Sequence, residues 1–198
     1  MRVLARFVIA ASSVNHFPAP GLPEIAFLGR SNVGKSSVIN SLLSAKIAKT
    51  SSTPGRTRSI NFFEVRWPGR PQAELVFADL PGYGYARVSK EAREQWPTFI
   101  EPYLKERPSL ALSLALVDAN VPPQESDRQL LDFLGTAGRP FVVVATKCDR
   151  LSKNQWARAS QALSQEFAPA RIVAYSARTG QGREELWREI REATHTAL

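Results

Sequence analysis

The sequence predicts a three-layer α/β fold, in which a mostly parallel β-sheet with one antiparallel edge strand carries helices on both faces. Short, almost continuously apolar runs alternate with longer amphipathic stretches, which is typical of parallel strands that are covered on both faces. Residues 60–67 differ, because polar residues interrupt an aromatic and β-branched run there, and Pro68-Gly69 then supplies a turn. This pattern predicts a hairpin, which places the antiparallel strand at the edge of the sheet.

The individual elements follow from the same patterns. Buried strands are predicted at residues 25–28, 75–78, 110–117, 141–145 and 172–175. Helices are predicted between and after them, at residues 34–43, 89–107, 124–134, 152–167 and around 186–193. Ser152 and Gln155 have the spacing of a capping box, which marks a helix start. Pro97 and Pro102 lie inside a predicted helix and are expected to break or kink it.

Length and composition restrict the class of protein. At 198 residues, with 43% hydrophobic and 22% charged residues, the chain is expected to form one domain with a substantial core. A single cysteine, Cys148, excludes an internal disulfide framework and a cysteine-built zinc site, and favours the cytoplasm. The apolar start is interrupted by Arg6, which favours a strand over a signal peptide. No run of 18 apolar residues exists, so no membrane span is predicted.

The charge balance favours an anionic partner. Lysine and arginine number 26 against 18 acidic residues, which gives a net charge of +8. RNA is the first candidate, DNA the second and an acidic membrane surface the third. A basic protein without such a partner is the alternative, because net charge alone does not define a function.

The motif with the most specific chemistry is Gly29-Arg30-Ser31-Asn32-Val33-Gly34-Lys35-Ser36, which matches the G-x-x-x-x-G-K-[ST] pattern of a phosphate-binding loop. It lies between a predicted strand and a predicted helix, as that function requires. Backbone N–H groups and the helix N-terminus would hold phosphates, and Lys35 would bridge the outer two. The Ser36 hydroxyl would be a magnesium ligand. The alternative is a glycine-rich turn that begins an ordinary helix.

An acidic residue follows the predicted strand at 75–78, in the run Asp79-Leu80-Pro81-Gly82. The carboxyl ends of parallel strands are where ligands bind in such sheets, so Asp79 is predicted to hold a magnesium-bound water. Gly82 would offer its N–H to the terminal phosphate, and Gly82 and Gly84 would let this segment move when that phosphate leaves. Taken alone, the run fits a simple turn equally well.

A third motif, Thr146-Lys147-Cys148-Asp149, follows the predicted strand at 141–145. The Asp149 carboxylate can accept two hydrogen bonds from the edge of guanine, which adenine does not offer. The alkyl chain of Lys147 would lie along the purine face. A backbone N–H within Tyr175-Ser176-Ala177 would donate to the guanine carbonyl oxygen. A T-K-x-D run alone fits a solvated loop, but its place after the other two motifs predicts a guanine nucleotide site.

These motifs resemble, in order and spacing, those of the translation-factor-related P-loop GTPases, and in detail those of the bacterial EngB family of ribosome-biogenesis GTP-binding proteins. The resemblance covers nearly the whole chain. It rests on the phosphate loop with Ser37, on Thr53-Pro54-Gly55-Arg56-Thr57, on Ile60-Asn61-Phe62-Phe63, on Asp79-Leu80-Pro81-Gly82-Tyr83-Gly84-Tyr85 and on Thr146-Lys147-Cys148-Asp149. Residues 23–198 are then expected to form one GTP-binding domain, with residues 1–22 as an N-terminal extension packed on it.

The resemblance implies a P-loop NTPase fold and a magnesium-dependent GTPase that binds the large ribosomal subunit, supports its late assembly and is needed for normal cell division and septation. Thr57 looks like the switch threonine that coordinates magnesium in the GTP state, together with Ser36 and Asp79. Thr146 replaces the asparagine of many GTPases, as it does throughout this family, which implies a looser tie to the phosphate loop. Residues expected beside the phosphates are Gly55, Arg56, Thr57, Arg58 and Ser59.

The expected catalytic set is Lys35, Thr57, Gly82 and Asn32. Many GTPases orient the attacking water with a glutamine after the D-x-x-G segment, whereas Tyr83 stands there in this chain. Unaided turnover is therefore expected to be slow, with the water positioned by something else. One candidate is a potassium ion held near Asn32, and the other is the ribosome. The alternative role for Asn32 is an amide that stabilises the loop.

Two other functions stay open from the sequence. A P-loop ATPase or kinase would bind ATP more tightly than GTP, and would leave the T-K-x-D motif without a purpose. A constitutive RNA-binding module would bind ribosomes equally in its GDP and GTP forms. The chain is expected to be a monomer, since it has no coiled-coil repeat. RNA contacts are expected at two basic groups, Arg56, Arg58 and Arg66, and Arg150, Lys153 and Arg158.

Overall fold

A computed structural model of the protein describes residues 3–48, 59–83 and 90–196, with the backbone alone at 90–97 and 195–196. The strands in these ranges are β1 (Leu4–Ala11), β2 (Glu24–Gly29), β3 (Ile60–Arg66), β4 (Leu75–Asp79), β5 (Leu110–Asp118), β6 (Phe141–Thr146) and β7 (Ile172–Ala174). The helices are α1 (Lys35–Leu43), α2 (Lys90–Glu106), α3 (Glu125–Thr136), α4 (Lys153–Glu166) and α5 (Arg183–Thr196). The predicted strands and helices are confirmed, with ends that differ by at most three residues.

The strands form one sheet in the order β1-β3-β4-β2-β5-β6-β7. Every pairing is parallel except the two that β3 makes, with β4 and with β1. The predicted α/β class is confirmed, with one correction: the reversed strand is not at the edge. β1 pairs outside it, from Leu4 opposite Arg66 to Ala11 opposite Ile60, and so satisfies backbone groups that β3 would otherwise expose.

The helices cover both faces of the sheet, which gives the predicted three layers. On one face α1 and α5 pack their buried side chains, such as Leu42 and Trp187, against Phe27 and Phe77. On the other face lie α2, α3 and α4. The ring centroids of Phe77 and Trp187 are 5.7 Å apart in a stacked arrangement. Because each strand is covered on both sides, the near-continuous apolar runs of the sequence are explained.

Two helix predictions have different outcomes. The capping box is confirmed at the start of α4, where the Gln155 N–H donates to Ser152 Oγ (3.3 Å) and the Ser152 N–H donates to Gln155 Oε1 (2.9 Å). In contrast, α2 is one continuous helix through Pro97 and Pro102, so neither proline breaks it. Burial of its C-terminal half, including Tyr103, against the sheet offsets the lost backbone hydrogen bonds.

A buried ion pair fixes the C-terminal end of α2 at the amino end of β2. The Arg107 Nε donates to Glu24 Oε1 (2.9 Å), and the Tyr103 hydroxyl donates to Glu24 Oε2 (2.9 Å). Ser109 donates to the same carboxylate (2.7 Å). Arg107 also donates to the Pro18 carbonyl oxygen (2.8 Å), which ties the segment between β1 and β2 to the domain. This cluster lies at the end of the sheet away from the candidate motifs.

None of the helices in the described ranges combines the length and the apolar character that crossing a membrane requires.

Candidate nucleotide site

The predicted motifs meet at the carboxyl end of the sheet. Because β2, β4, β5, β6 and β7 run in one direction, the loops that follow them lie at the same edge. A cavity of about 800 Å³ opens between these loops. Predicted site residues that line it are Gly34, Ser37, Thr146, Lys147, Asp149 and Ala177.

The phosphate loop ends at Gly34, which precedes the first residue of α1 with φ 104° and ψ 18°. This backbone conformation strains any residue that has a Cβ, so glycine is required there. The first intrahelical bond runs from the Val38 N–H to the Gly34 oxygen (2.9 Å). The N–H groups of Lys35, Ser36 and Ser37 therefore have no partner within the helix, and the positive end of the helix dipole adds to them. This arrangement can bind an anion.

Lys35 and Asp79 form an ion pair between the start of α1 and the end of β4. Their side chains are only 11% and 6% exposed, respectively, so each neutralises a charge that would be costly alone. The sequence predicts that Lys35 contacts phosphate and that Asp79 holds a magnesium-bound water, and in the structure the two side chains contact each other directly. Each side chain can therefore exchange this contact for its predicted one, Lys35 for phosphate and Asp79 for a magnesium-bound water.

The donor chemistry fits magnesium. Ser36, next to Lys35, and Asp79 offer a hydroxyl and a carboxylate oxygen, which are ligands that Mg²⁺ prefers. Within the described ranges, no three His, Cys, Asp or Glu side chains form a cluster that could hold a metal ion. One hydroxyl and one carboxylate are enough for Mg²⁺ beside phosphates, because the phosphates and waters supply its other ligands.

The segment after Asp79 lies directly on the phosphate loop. A Cβ on Gly82 would come within 2.9 Å of Ser31 Oγ and 3.1 Å of Ser31 Cα, so the close approach requires glycine. The Tyr83 N–H donates to the Gly29 oxygen (3.3 Å), and the Ser31 N–H donates to the Tyr83 oxygen (3.2 Å). Leu80 and Pro81 are buried. One predicted phosphate donor, the Ser31 amide, is therefore bonded to protein here.

Thr146 ties β6 to the phosphate loop. Thr146 is buried, with 2% of the residue exposed. Its hydroxyl lies 2.7 Å from the Val33 oxygen and 3.0 Å from the Val117 oxygen, and shares its hydrogen between them. The looser tie expected at this position still includes a direct bond, because the threonine hydroxyl itself reaches the loop. Val33, whose side chain is buried, is fixed from both sides by this bond and by its own N–H to the Arg30 oxygen (3.2 Å).

Lys147 connects the phosphate loop to the end of β5. Its Nζ donates to the Asn32 oxygen (2.8 Å) and to Asp118 Oδ2 (2.7 Å). Burial acts to raise the pKa of Asp118, but hydrogen bonds from Lys147 and Asn120 outweigh it and hold the pKa below its usual range. Asp118 is not among the site residues predicted from the sequence. Its signal was available, since it ends a buried parallel strand as Asp79 does.

Asp149 is held in place by two side chains. Its Oδ1 accepts a hydrogen bond from the Ser176 hydroxyl (2.7 Å), and its Oδ2 accepts one from Arg178 Nε (2.9 Å). These bonds, that of Ser176 first, lower the pKa of Asp149 below its usual range. A carboxylate has about four lone-pair sites, so Asp149 can accept two more bonds. Arg178 is not among the predicted site residues, although it directly follows Tyr175-Ser176-Ala177.

A backbone N–H within Tyr175-Ser176-Ala177 is predicted to donate to the guanine carbonyl oxygen, and the contacts of the first two residues leave Ala177 as the candidate. The Tyr175 N–H donates to the Ala145 oxygen (2.8 Å), and the Ser176 N–H donates to the Gln181 oxygen (3.0 Å). For the Ala177 N–H, no partner is found in the part of the chain that the structure describes, and Ala177 lines the cavity. Two neighbouring residues, Tyr175 and Cys148, stabilise these loops. The Tyr175 hydroxyl donates to Ser41 Oγ (3.0 Å), and Cys148 is buried.

Among the described residues with a predicted role, Arg30, Ser59 and Arg66 do not line the cavity. Arg30 has a buried Nε for which the described residues offer no hydrogen-bond partner. Arg66 donates to the oxygens of Arg70 (3.3 Å) and Pro71 (3.4 Å) in the hairpin between β3 and β4. Ser59 is half-buried just before β3. Five residues with a predicted role, among them the candidate magnesium ligand Thr57, lie outside the described ranges: Gly55, Arg56, Thr57, Arg58 and Gly84.

Comparison with known proteins gives the family. A family model described as "50S ribosome-binding GTPase" matches residues 24–147. A probable GTP-binding protein EngB of Koribacter versatilis is 58% identical over 196 residues, which cover 99% of this chain and 97% of that protein. The probable EngB of Acidobacterium capsulatum is 58% identical over 191 residues, which cover 96% and 90%.

Solved structures agree on the fold. A crystal structure of a probable GTP-binding protein EngB has a TM-score of 0.70 at 23% identity, over 87% of this chain and 99% of that chain. Era in complex with MgGDPNP and nucleotides 1506–1542 of 16S ribosomal RNA has a TM-score of 0.72 at 23% identity, over 88% and 57%. From the family model and the near-full-length identity to its curated members, this chain belongs to the EngB family of GTP-binding proteins and has its GTPase domain.

Proposed function

We propose that this chain is a magnesium-dependent GTPase switch, which binds the large ribosomal subunit and supports its late assembly. The observation that carries the nucleotide part is the position of Asp149. Its carboxylate, oriented by Ser176 and Arg178, faces the same cavity as Gly34 of the phosphate loop. A base-reading acid and a phosphate loop at the two ends of one site suit a guanine nucleotide.

The roles of the phosphate-end residues follow from their contacts. Lys35 would leave Asp79 for the outer phosphates, which supply a stronger negative charge than one carboxylate. Asp79 would then hold a metal-bound water, with Ser36 and Thr57 as direct ligands. Magnesium at this place would neutralise charge on the phosphates during hydrolysis. Gly82 would donate its N–H to the terminal phosphate, because it already lies against Ser31 of the loop.

Hydrolysis without a partner is proposed to be slow. The residue after Gly82 is Tyr83, and its hydroxyl donates to Asp127 Oδ1 (2.9 Å) on α3. A phenol held in this way lacks the amide pair with which a glutamine orients a water. The catalytic water would therefore be positioned by a group from outside the described site, either a bound cation or the ribosome.

Asn32 is the proposed contact for a potassium ion. Its backbone is left-handed, with φ 66°, and its exposed side chain has no hydrogen bond to the described residues, which does not favour a loop-stabilising role. We expect GTP turnover to be roughly tenfold faster in potassium than in sodium buffer, and Asn32→Ala to remove this difference. Single-turnover assays at matched ionic strength measure it. Equal rates in the two buffers would exclude the ion and leave the ribosome as the activator.

The surface proposed for ribosomal RNA surrounds the base end of the cavity. Lys46 and Arg150 line the cavity mouth, and Lys153 and Arg158 are exposed on the adjoining α4. Among the described residues, none of these four has an acidic partner within ion-pair distance. A guanine base is neutral and does not use this positive charge, whereas RNA phosphates would.

Co-sedimentation with purified large subunits tests the ribosomal part. We expect binding with GTP or a non-hydrolysable analogue to exceed binding with GDP, and to weaken steeply as salt is raised. Arg150→Gln with Lys153→Gln should weaken binding about tenfold and flatten its salt dependence, while Arg188→Gln on α5 serves as the matched control. Equal binding with GDP and GTP would favour a constitutive RNA-binding module. Tighter binding of ATP than of GTP would favour an ATPase or kinase.

The proposed role in subunit assembly also predicts where the protein acts in the cell and how division defects arise. The protein would act in the cytoplasm as a monomer, and impaired division and septation would follow when subunits are not completed. Loss of the protein should then cause large-subunit precursors to accumulate before division slows, which sucrose-gradient profiles after depletion measure. Division defects without precursors would contradict this order.

A further inference from the structure

We propose that Tyr83 and Asp127 form a latch that holds the segment after β4 on the phosphate loop, and that this latch disfavours nucleotides with a terminal phosphate until it opens. The inference rests on the proposed guanine-nucleotide function. It adds Tyr83 and Asp127 as positioning residues, and Arg30 as the residue that pairs with Asp127 when the latch opens. The latch is defined as the Tyr83–Asp127 hydrogen bond, together with the main-chain bonds that Tyr83 makes to the phosphate loop.

The main chain of Tyr83 occupies a donor of the loop. The Ser31 N–H donates to the Tyr83 oxygen (3.2 Å), and the Tyr83 N–H donates to the Gly29 oxygen (3.3 Å). Gly82, the proposed donor to the terminal phosphate, is in contact with the same Ser31. Ser31 is therefore at the terminal-phosphate end of the loop. A terminal phosphate that takes its N–H must displace the Tyr83 oxygen.

The side chain of Tyr83 stabilises this arrangement from α3. Its hydroxyl donates to Asp127 Oδ1 (2.9 Å), and the Asp127 carboxylate is buried, with 4% of the residue exposed. Oδ2 of the same group accepts the Gln124 N–H (3.2 Å) at the start of α3. Asp127 is thus fixed to its helix, and Tyr83 is fixed to Asp127. A hydrogen bond to a buried carboxylate is among the stronger ones in proteins.

Arg30 gives the latch a second state. Its Nε is buried and finds no hydrogen-bond partner among the described residues. Arg30 also pairs with Tyr83 in an isolated parallel β-bridge, and its positive charge acts to lower the pKa of both Tyr83 and Asp127. When the Tyr83 hydroxyl leaves Asp127, the Arg30 guanidinium can donate to the Asp127 carboxylate, so this buried carboxylate is not left unpaired. Opening the latch then replaces the Tyr83–Asp127 hydrogen bond by one between Arg30 and Asp127, which keeps the free-energy cost of opening low.

Tyr83→Phe tests the latch, because it removes the hydroxyl and keeps the ring and the main-chain bonds. We expect the affinity for a non-hydrolysable GTP analogue, relative to that for GDP, to rise about tenfold, as expected from losing one hydrogen bond to a charged group. Arg30→Gln should lower the same ratio, because Asp127 then has no charged partner after opening. Calorimetric titration of each variant with both nucleotides and magnesium measures the ratio, and thermal melting checks that each variant is folded.

Tyr103→Phe is the matched control. Its hydroxyl also donates to a buried carboxylate, Glu24 Oε2, at the same 2.9 Å, but at the opposite end of the sheet, so the nucleotide ratio should not change. An unchanged or lowered ratio in a folded Tyr83→Phe variant would overturn the latch. If the wild-type protein binds neither guanine nucleotide, the proposed function itself fails, which separates the two outcomes.

Discussion

Asp149→Asn is expected to lower the affinity for GDP by at least about a hundredfold, and to create affinity for xanthosine diphosphate. The two carboxylate oxygens can each accept one more hydrogen bond beside those from Ser176 and Arg178, which matches the two N–H donors of guanine. A carboxamide offers one acceptor and points an N–H₂ at the guanine amine. Xanthine has a carbonyl oxygen at that position and so accepts from the amide.

Titration calorimetry with both nucleotides and magnesium measures this change. Glu166→Gln is the matched control, because Glu166 is also paired with an arginine, Arg128, but lies on α4 away from the cavity. It should leave both affinities as they are. Wild-type GDP affinity in the Asp149→Asn variant would contradict the assignment of Asp149 to the base.

The pH dependence of GDP binding follows from the same contacts. The Ser176 hydroxyl, and then Arg178, lower the pKa of Asp149 below its usual range, so the folded protein keeps this carboxylate ionised more readily than an unfolded chain does. The contribution of the ionised group is present above the ordinary carboxyl pKa, and is lost only as the pH falls through the lowered value. Asp149 therefore gives GDP binding no pH dependence near neutrality.

The parts of this protein that could be predicted from its sequence are those that local pattern determines. A parallel strand covered on both faces needs a nearly continuous apolar run, and β5 and β6 have such runs, which are too short for typical helices. The phosphate loop could be predicted because its function depends on main-chain N–H groups, which a fixed spacing of Gly34 and Lys35 places at a helix start.

Pairs of distant residues could not be predicted in the same way. β2 and α1 lie between β1 and β3 in the sequence, so nothing in residues 4–11 indicates which strand they join. Tyr83 and Asp127 lie 44 positions apart, and Lys147 and Asp118 lie 29 apart. Each pair depends on the order of strands in the sheet, which local pattern does not determine. Only Asp118 had a usable signal, at the end of its strand.

Glu24→Gln is expected to lower the free energy of unfolding by about 3–5 kcal/mol, because it leaves the charge of Arg107 buried without a charged partner. Glu24 and Arg107 are only 2% and 7% exposed, and the carboxylate also accepts from Tyr103 and Ser109. Urea-induced unfolding measures the change. GDP affinity should stay as it is under native conditions, since the cluster lies at the amino end of the sheet and not at the nucleotide end.

Two variants give this prediction its controls. Glu64→Gln removes a carboxylate from the exposed pair with Arg6, whose side chain is 75% exposed, and should cost at most about 1 kcal/mol. Adding Arg107→Met to Glu24→Gln should restore part of the lost stability, because the unpaired buried charge is removed together with its partner. If Glu24→Gln costs no more than Glu64→Gln, the buried pair does not stabilise the end of α2, and the uncompensated charge must be reached by water there.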